Sequence, residues 1–455
     1  MTQRQFPNCF KTKGEDPMKK KLFALLMAVV MVLSLASCGK KADAPAATPA
    51  DPGTSTTEPA AEPTTDLPLG YDPTTGAEAY GPYWDEWSDM TDEELYEMAL
   101  KEDTAINVYA TSSKMLKAEE PFEEMYPGLD LVVSDLDTDE VLSKAQIENE
   151  TGNVTADVLQ TKDVNGSVFY EYYYQGVIEP FYPRDICSHL DESYLTYSYP
   201  LYASQAFWYY NTEAFPDGQP VNNWWQIIEK DENGNQKYRL FTKEIGQESS
   251  YMSLFASFIN NADQMEKAYE DCYGEKLEYT YDPSSFNFEV PANNAGVEYL
   301  WRFSQAKMTF IGDGDELVLA VHNSTKDDPA LCLASAGKIE NQEESGYNID
   351  WCVNMAPYTG LLNVESMFAV KGCNSPAGAR LFIRYITGGT DGQSGGLKPF
   401  TKVGNWPLRD DFEDKKNPKK LNELGAIANN LDDIYAIYPD VQDMWTYWLN
   451  QSPNK

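Results

Sequence analysis

The chain has 455 residues, 42% of them hydrophobic and 13% aromatic, enough apolar material for a large core in two or three domains. Its 35 basic residues face 72 acidic ones, a net charge of -37, so nucleic acid is a poor partner: phosphate binding needs clustered Lys and Arg. Only two histidines occur, His189 and His322, which excludes HExxH zinc sites and three-histidine centres. A GxxxxGKS/T segment is absent from the sequence, which excludes a P-loop nucleotide engine.

The first patterned segment runs from Met18 to Cys38. Lys19, Lys20 and Lys21 precede an uncharged stretch of 16 residues, Leu22 to Ser37. That is short for a membrane span, which needs about 20, and fits the h-region of a secretory signal. The segment closes with Leu35-Ala36-Ser37-Cys38, which resembles the lipobox of bacterial lipoproteins. The resemblance implies that Cys38 is lipidated and becomes the new N-terminus. Met18 then reads as the true start, with a 17-residue upstream extension. Ala42 to Pro68 is a tether: 19 of its 27 residues are Ala, Pro or Thr, too few apolar groups to offset the entropy of ordering. Five further cysteines (Cys187, Cys272, Cys332, Cys352, Cys373) form no CxxC pair and read as small hydrophobes.

Folded sequence is expected from near Tyr80. Thr91-Asp92-Glu93-Glu94 predicts a capping box opening a helix. Strands are predicted at Ile106–Ala110, Leu129–Val133 and Ala156–Gln160, with helices between them at Phe122–Met125 and Glu140–Glu150. A helix through Phe169 and Tyr173 precedes Val177-Ile178. Strands alternating with helices argue for right-handed βαβ units and a parallel sheet. Gln205 to Asn211 is an aromatic strand, and Trp224 begins a helix. Further helices are predicted at 249–261, 295–305 and 315–323, then a strand at 330–334. Met367–Gly372 reads as a buried strand, 375–386 as an amphipathic helix, and 441–449 as the last helix.

This order of features resembles the extracellular solute-binding proteins of bacterial ABC importers, nearest the iron(III)/thiamine-type branch. The matching pieces are Glu94-Leu95-Tyr96 with Ile106-Asn107-Val108-Tyr109, Phe122-Glu123-Glu124-Met125-Tyr126-Pro127-Gly128, Ala156-Asp157-Val158-Leu159, Gly176-Val177-Ile178-Glu179-Pro180-Phe181, Tyr210-Asn211-Thr212 with Asn223-Trp224-Trp225, and Asn374-Ser375-Pro376-Ala377-Gly378-Ala379. The resemblance implies an α/β fold: a two-lobed type II periplasmic-binding-protein clamp, each lobe a mixed sheet flanked by helices. The expected division is signal peptide 1–37, lipidated Cys38 and tether 38–79, N-terminal helix and lobe I 80–198, hinge and lobe II 199–358, and return to lobe I with C-terminal helices 359–455. The implied function is capture of a small polar solute between the lobes and delivery to an ABC transporter permease. A monomer anchored by Cys38 to the outer face of the cytoplasmic membrane is expected, with no cofactor, resident metal, catalytic residue or nucleic-acid partner.

In open α/β sheets, ligands bind beyond the carboxyl ends of the strands. Thr111, Ser112 and Ser113 follow the first strand, and Thr161 with Lys162 and Asp163 the third. Ser249 and Ser250 open a lobe II helix, Ser335 ends a strand, and Tyr358 lies at the return crossover. Tyr209 belongs to the aromatic cluster most apt to reach the cleft. Helix N-caps use the same residue types, and one hydroxyl can serve both roles. This set is neutral apart from Lys162, which Asp163 can cancel, so a solute held by hydroxyls, backbone N–H groups and aromatic rings is expected. A polyamine is the alternative, since carboxylates and aromatic rings are plentiful. Iron fits less well, because Tyr209 and Tyr210 alternate faces if they lie on a strand. Asp231–Asn235 begins like a calcium loop, but Gln236 and Thr242 stand where Gly and Glu are required. A surface-anchored glycan-active enzyme and a sensor lipoprotein are the other functional readings. The GxSxG elbow is absent, and with 72 acidic residues a carboxylate pair carries no information.

The lipobox generates the first prediction. A diacylglyceryl group supplies two acyl chains, where a single chain is marginal. Cys38→Ala is expected to release the protein from the membrane fraction or leave its precursor uncleaved. Membrane retention with unchanged processing would contradict the lipid anchor.

Overall fold

The computed structural model describes residues 84–390, 392 and 395–453. The signal segment, Cys38 and the whole tether thus lie outside the described residues. The first helix, α1 (Asp92–Glu102), opens as its sequence predicts. The Thr91 hydroxyl accepts from the Glu94 N–H, and the Glu94 carboxylate accepts from the Thr91 N–H at 2.9 Å.

The chain then forms β1 (Ile106–Ala110), α2 (Glu119–Met125), β2 (Leu131–Asp135), α3 (Thr138–Thr151), β3 (Val158–Lys162) and β4 (Ile178–Glu179). β1 pairs in parallel with both β2 and β3. The buried Asp157 carboxylate accepts from Asn107 N–H at 2.7 Å and from Ser375 N–H at 2.8 Å, fixing the entry to β3. β5 (Tyr199–Ser204) and β6 (Ala206–Asn211) follow, separated by Gln205 alone. Lobe II continues through β7 (Arg239–Thr242), α4 (Ser249–Asn260), α5 (Ala262–Tyr273), α6 (Ala295–Gln305), β8 (Met308–Phe310), α7 (Gly314–His322), β9 (Ala330–Ser335) and β10 (Ile349–Trp351). The return comprises β11 (Leu361–Val370), α8 (Pro376–Ile386), β12 (Trp406–Pro407), β13 (Ile427–Ala428) and α9 (Leu431–Leu449).

Two mixed sheets result. The first has the order β12-β5-β11-β3-β1-β2, with β4 and β13 also paired to β11. β11 runs antiparallel to both β3 and β5. The second has the order β10-β6-β9-β7-β8, with β7 parallel to β8 and β9, and β6 antiparallel to β9. Helices flank both, as the two-lobed α/β expectation requires. α8 packs on α1, where buried Arg384 pairs with Asp92 and, at 2.7 Å, with Asp185. Lobe II is held by an aromatic core that includes Trp224, Phe255, Phe258, Tyr299 and Phe303.

Several elements differ from the sequence reading. β2 and β3 start two residues late, because register with Ile106 and Val108 sets their pairing. The helix at Trp224 is a single turn, capped by Asn223 and anchored by two buried indoles. β11 begins six residues before the predicted Met367, at the crossover. α9 begins ten residues before the predicted Val441, so Pro439 lies inside it rather than ahead of it. The burial of Ile434, Tyr438, Met444, Trp445 and Trp448 outweighs the hydrogen bond that Pro439 cannot donate. This helix touches both lobes. Its first turns meet lobe I, where Tyr435 stacks on Tyr170 at 4.4 Å and Asp432 accepts from the Tyr170 hydroxyl at 2.8 Å. The rest packs on α4 and α6.

α6 approaches α4 so closely at Gly296 that an added Cβ would land on the backbone of Phe258 and Ile259. Backbone cannot yield as a side chain end can, so overpacking here separates the two helices. Gly296→Ala is expected to destabilise lobe II by about 1–3 kcal/mol, read as a lower midpoint in urea unfolding.

Candidate functional site

The parallel strands of the two lobes end around one cavity of about 490 Å³, within the usual range for small-ligand sites. From lobe I come Lys114, shortly after β1, Lys162 at the end of β3, Asn363 on β11, and Tyr202 and Ser204 on β5. From lobe II come Lys243 after β7, Ser250 on the first turn of α4, Gly312 after β8, and Ser335 to Lys338 after β9. Gln205 and Ala206, where the chain changes sheets, form part of the lining.

Of the candidate residues, Ser250 and Ser335 line this cavity. Thr161 is fully buried on β3, and its hydroxyl has no hydrogen-bond partner. Thr111, Ser112 and Ser113 are not part of the lining; Lys114, the next residue, is. The Thr111 N–H is engaged by the Gln160 side-chain oxygen at 3.1 Å. Ser249 is exposed and outside the lining. Tyr209 is wholly buried, and its hydroxyl donates to the carbonyls of Ser335 (2.8 Å) and Ala336 (2.9 Å). Tyr358 lies in the lobe II core, its hydroxyl 2.8 Å from that of Ser257. Both rings brace the walls from behind.

Sequence reasoning treated Lys162 as the only nearby cation. The fold brings Lys114, Lys243 and Lys338 beside it. Their partners differ. Lys243 lies 2.5 Å from Glu248, Lys338 2.8 Å from Asp315, and Lys162 3.8 Å from Glu365, whose carboxylate is held by the Gln160 amide at 2.6 Å. Among the described residues, no carboxylate is ion-paired to Lys114. Burial is the main cause that pushes the Lys114 pKa down; nearby Lys402 adds to it, while the Glu340 and Glu365 carboxylates oppose it. The acidic residues Glu248 and Asp313 also line the cavity, as do neutral amides. Gln205 is 3% exposed with both its side-chain N and O unpartnered, and Asn363 is 7% exposed with its Oδ1 unpartnered. The available sequence signal was positional: each lysine lies at or within four residues of the carboxyl end of a strand.

Metal ligation has little to build on here. Tyr209 and Tyr210 point to separate clusters on opposite faces of β6, as strand alternation requires. The Tyr251 hydroxyl donates to the Leu333 carbonyl, and burial raises the pKa of both Tyr202 and Tyr251. Elsewhere, on lobe I, ligand atoms of His189, Asp410 and Asp411 come within 4.8 Å of one another, but Arg409 already holds Asp411 at 2.7 Å. The Asp231 loop is a turn in which its carboxylate accepts from the N–H groups of Asn233 and Asn235. Asp313 caps α7 through the N–H groups of Asp315 and Glu316.

Two mixed α/β lobes around a shared polar cavity, with strands passing between the sheets, define a periplasmic-binding-type clamp. The chain belongs to the bacterial extracellular solute-binding protein family, whose sequence model matches residues 117–426. Iron-bound HitA from Pseudomonas aeruginosa is 12% identical, with a TM-score of 0.54 over 76% of this chain and 99% of its own. The apo ferric ion-binding protein A of Pasteurella haemolytica is also 12% identical, with a TM-score of 0.55 over 77% of this chain and 99% of its own. MotA from A. tumefaciens B6, in complex with glucopine, is 10% identical, with a TM-score of 0.50 over 76% and 100%. At these identities the likeness shows the fold alone. No curated protein matches the sequence. The family consists of extracellular binding proteins, which sets aside the glycan-active enzyme. Among the described residues, no helix is long and apolar enough to cross a membrane.

The partly buried charge on Lys114, which has no close ion-pair partner among the described residues, bears on stability. A lysine whose folded pKa is lowered from 10.5 destabilises the fold while it is charged. Lys114→Met is expected to raise the stability of the unliganded protein near neutral pH. The gain should fade as pH rises through the lowered folded pKa towards the unfolded value, because the native amine then loses its charge. Thermal unfolding of both proteins across alkaline pH checks the sign.

Proposed function

We propose that the protein is an extracellular solute-binding lipoprotein that captures a small polar solute between its lobes and delivers it to an ABC importer. The observation that carries this reading is the make-up of the cavity wall, which draws polar side chains from both lobes and from the crossing between them. A solute there contacts both lobes in the closed state and loses half its contacts in the open one. That differential affinity shifts the population towards closure, the event a permease would read. Lipidation at Cys38 would keep the clamp at the outer face of the membrane, with the Ala/Pro/Thr-rich tether giving it reach. The chain acts as a monomer in this scheme.

An organic solute is better supported than iron. HitA holds iron. In this chain the adjacent tyrosines of β6 are buried on opposite faces, and the charged side chains lining the cavity are mainly lysines, which repel a metal cation.

A thermal-shift screen over sugars, polyamines, thiamine-like cations, organic anions and Fe(III) tests the reading. At 100 times its dissociation constant, a ligand adds about 2.7 kcal/mol of stability. The stabilising solute is expected to compact the protein in small-angle X-ray scattering. Stabilisation without compaction, or turnover of the solute, would overturn the clamp.

A further inference from the structure

Resting on the solute-capture reading, we infer that the solute is a hydroxylated organic anion: its carboxylate or phosphate is bound at Lys114, and its hydroxyl-bearing body lies against Gln205 and Asn363. The first observation is the charge of the wall. In a chain of net charge -37, with twice as many acidic as basic residues, four lysines from both lobes line one cavity. A sphere of that volume is about 10 Å across, comparable to the Debye length at physiological salt, so these charges act on one another and on a solute with little screening. Three of them already have a carboxylate, which leaves Lys114 as the amine with its charge to place. Lysine serves carboxylates and phosphates alike as a point charge, without selecting the planar fork geometry that arginine demands.

The second observation is independent of charge. Gln205 offers a buried N–H donor and a buried carbonyl acceptor, both without a partner, and Asn363 offers a further buried acceptor. Buried polar groups left unpaired are costly, so a ligand that pairs them is favoured at this wall. A hydroxyl both donates and accepts and answers the two ends of Gln205 together. An apolar acid would leave these groups unpaired, and a neutral polyol would leave Lys114 uncompensated. Ser204, Ser250 and Asn405 add further neutral polar groups to the wall.

The test is calorimetric titration and scattering on the mature chain with named probes. Glucuronate and glucose 6-phosphate present the carboxylate and phosphate forms. Glucose, acetate, inorganic phosphate and spermidine supply the controls. One or both hydroxylated anions are expected to bind and compact the protein, more weakly as salt rises, with the better of the two identifying the charged group. Lys114→Met should lose at least about tenfold in affinity, and Gln205→Leu should narrow the preference of the hydroxylated anion over acetate or phosphate. The unliganded melting curve of each variant separates a folding defect from a binding defect, and Lys243→Met provides a second charge deletion on the other lobe. Equal binding of glucose, unchanged affinity in Lys114→Met, or compaction by spermidine would overturn the anion assignment while leaving the solute clamp standing. Failure of both hydroxylated anions overturns it too. A protein that no solute class compacts, or one that turns its solute over, would bring down the clamp reading as well.

Discussion

One backbone position makes the tightest link between the two sheets. Ser204 pairs with Asn363 in the first sheet, Ala206 pairs with Ser335 in the second, and Gln205 between them accepts a hydrogen bond at its carbonyl from Ala336 N–H at 3.0 Å. One residue thus hands the chain from one sheet to the other, with no loop to absorb misalignment. The geometry of the cavity follows from that junction, because Ser204, Gln205, Ala206 and the β9 end that Gln205 holds are all part of its wall. The cost is visible in the same residue: its amide is carried into the interior with neither end paired. A fold that tolerates this gains a buried donor and acceptor at the place where the lobes meet a guest.

The charge pattern repeats this trade on a larger scale. The acidic surface favours solubility and repels anionic polymers and lipid headgroups. The cavity reverses the sign locally, and it does so with flexible lysines tied to carboxylates such as Glu248, Asp315 and Glu365. Pairing lowers the mutual repulsion of the cations without removing their field. Lys114, outside these pairs, keeps the penalty of its burial in the empty protein. Stability given up in the empty state is what makes a binding surface selective.

Local chemistry made much of the fold legible from sequence. The capping box at Thr91, the strand at Ile106–Ala110 and the helix at Ala295–Gln305 fall where periodicity and caps put them. The short strands β8, β10, β12 and β13 span two or three residues each and exist only because a neighbouring strand offers pairing, which no local signal records. The last helix begins ten residues ahead of the predicted Val441, because the α9 face that buries Ile434 and Tyr438 is a tertiary feature. At the site, hydroxyl-bearing turns were a reasonable place to look, and Ser250 and Ser335 do face the cavity. Lys114, Lys243 and Lys338 were missed because each is unremarkable in its own segment, unlike Lys162, which follows Thr161 on a candidate turn. Their convergence depends on β1, β3, β7 and β9 ending at the same place, and that is a property of topology. Tyr209 shows the converse: an aromatic cluster in sequence became a brace whose hydroxyl grips two carbonyls.

The C-terminal helix gives the clamp a mechanical element apart from its strands. α9 is stacked on lobe I through Tyr435 and Tyr170 and embedded in lobe II through Trp445 and Trp448. A helix in contact with both jaws ties them at a second place: a rotation of one jaw against the other would have to slide or unstack the tyrosine joint. The resting angle, and the work of closing, are then set partly by a ring contact that lies outside the solute cavity. Observed affinity is intrinsic affinity discounted by that work. Changes at the Tyr170–Tyr435 joint would therefore retune how tightly the jaws hold their cargo, and how readily they let it go, with every cargo-facing side chain left as it is.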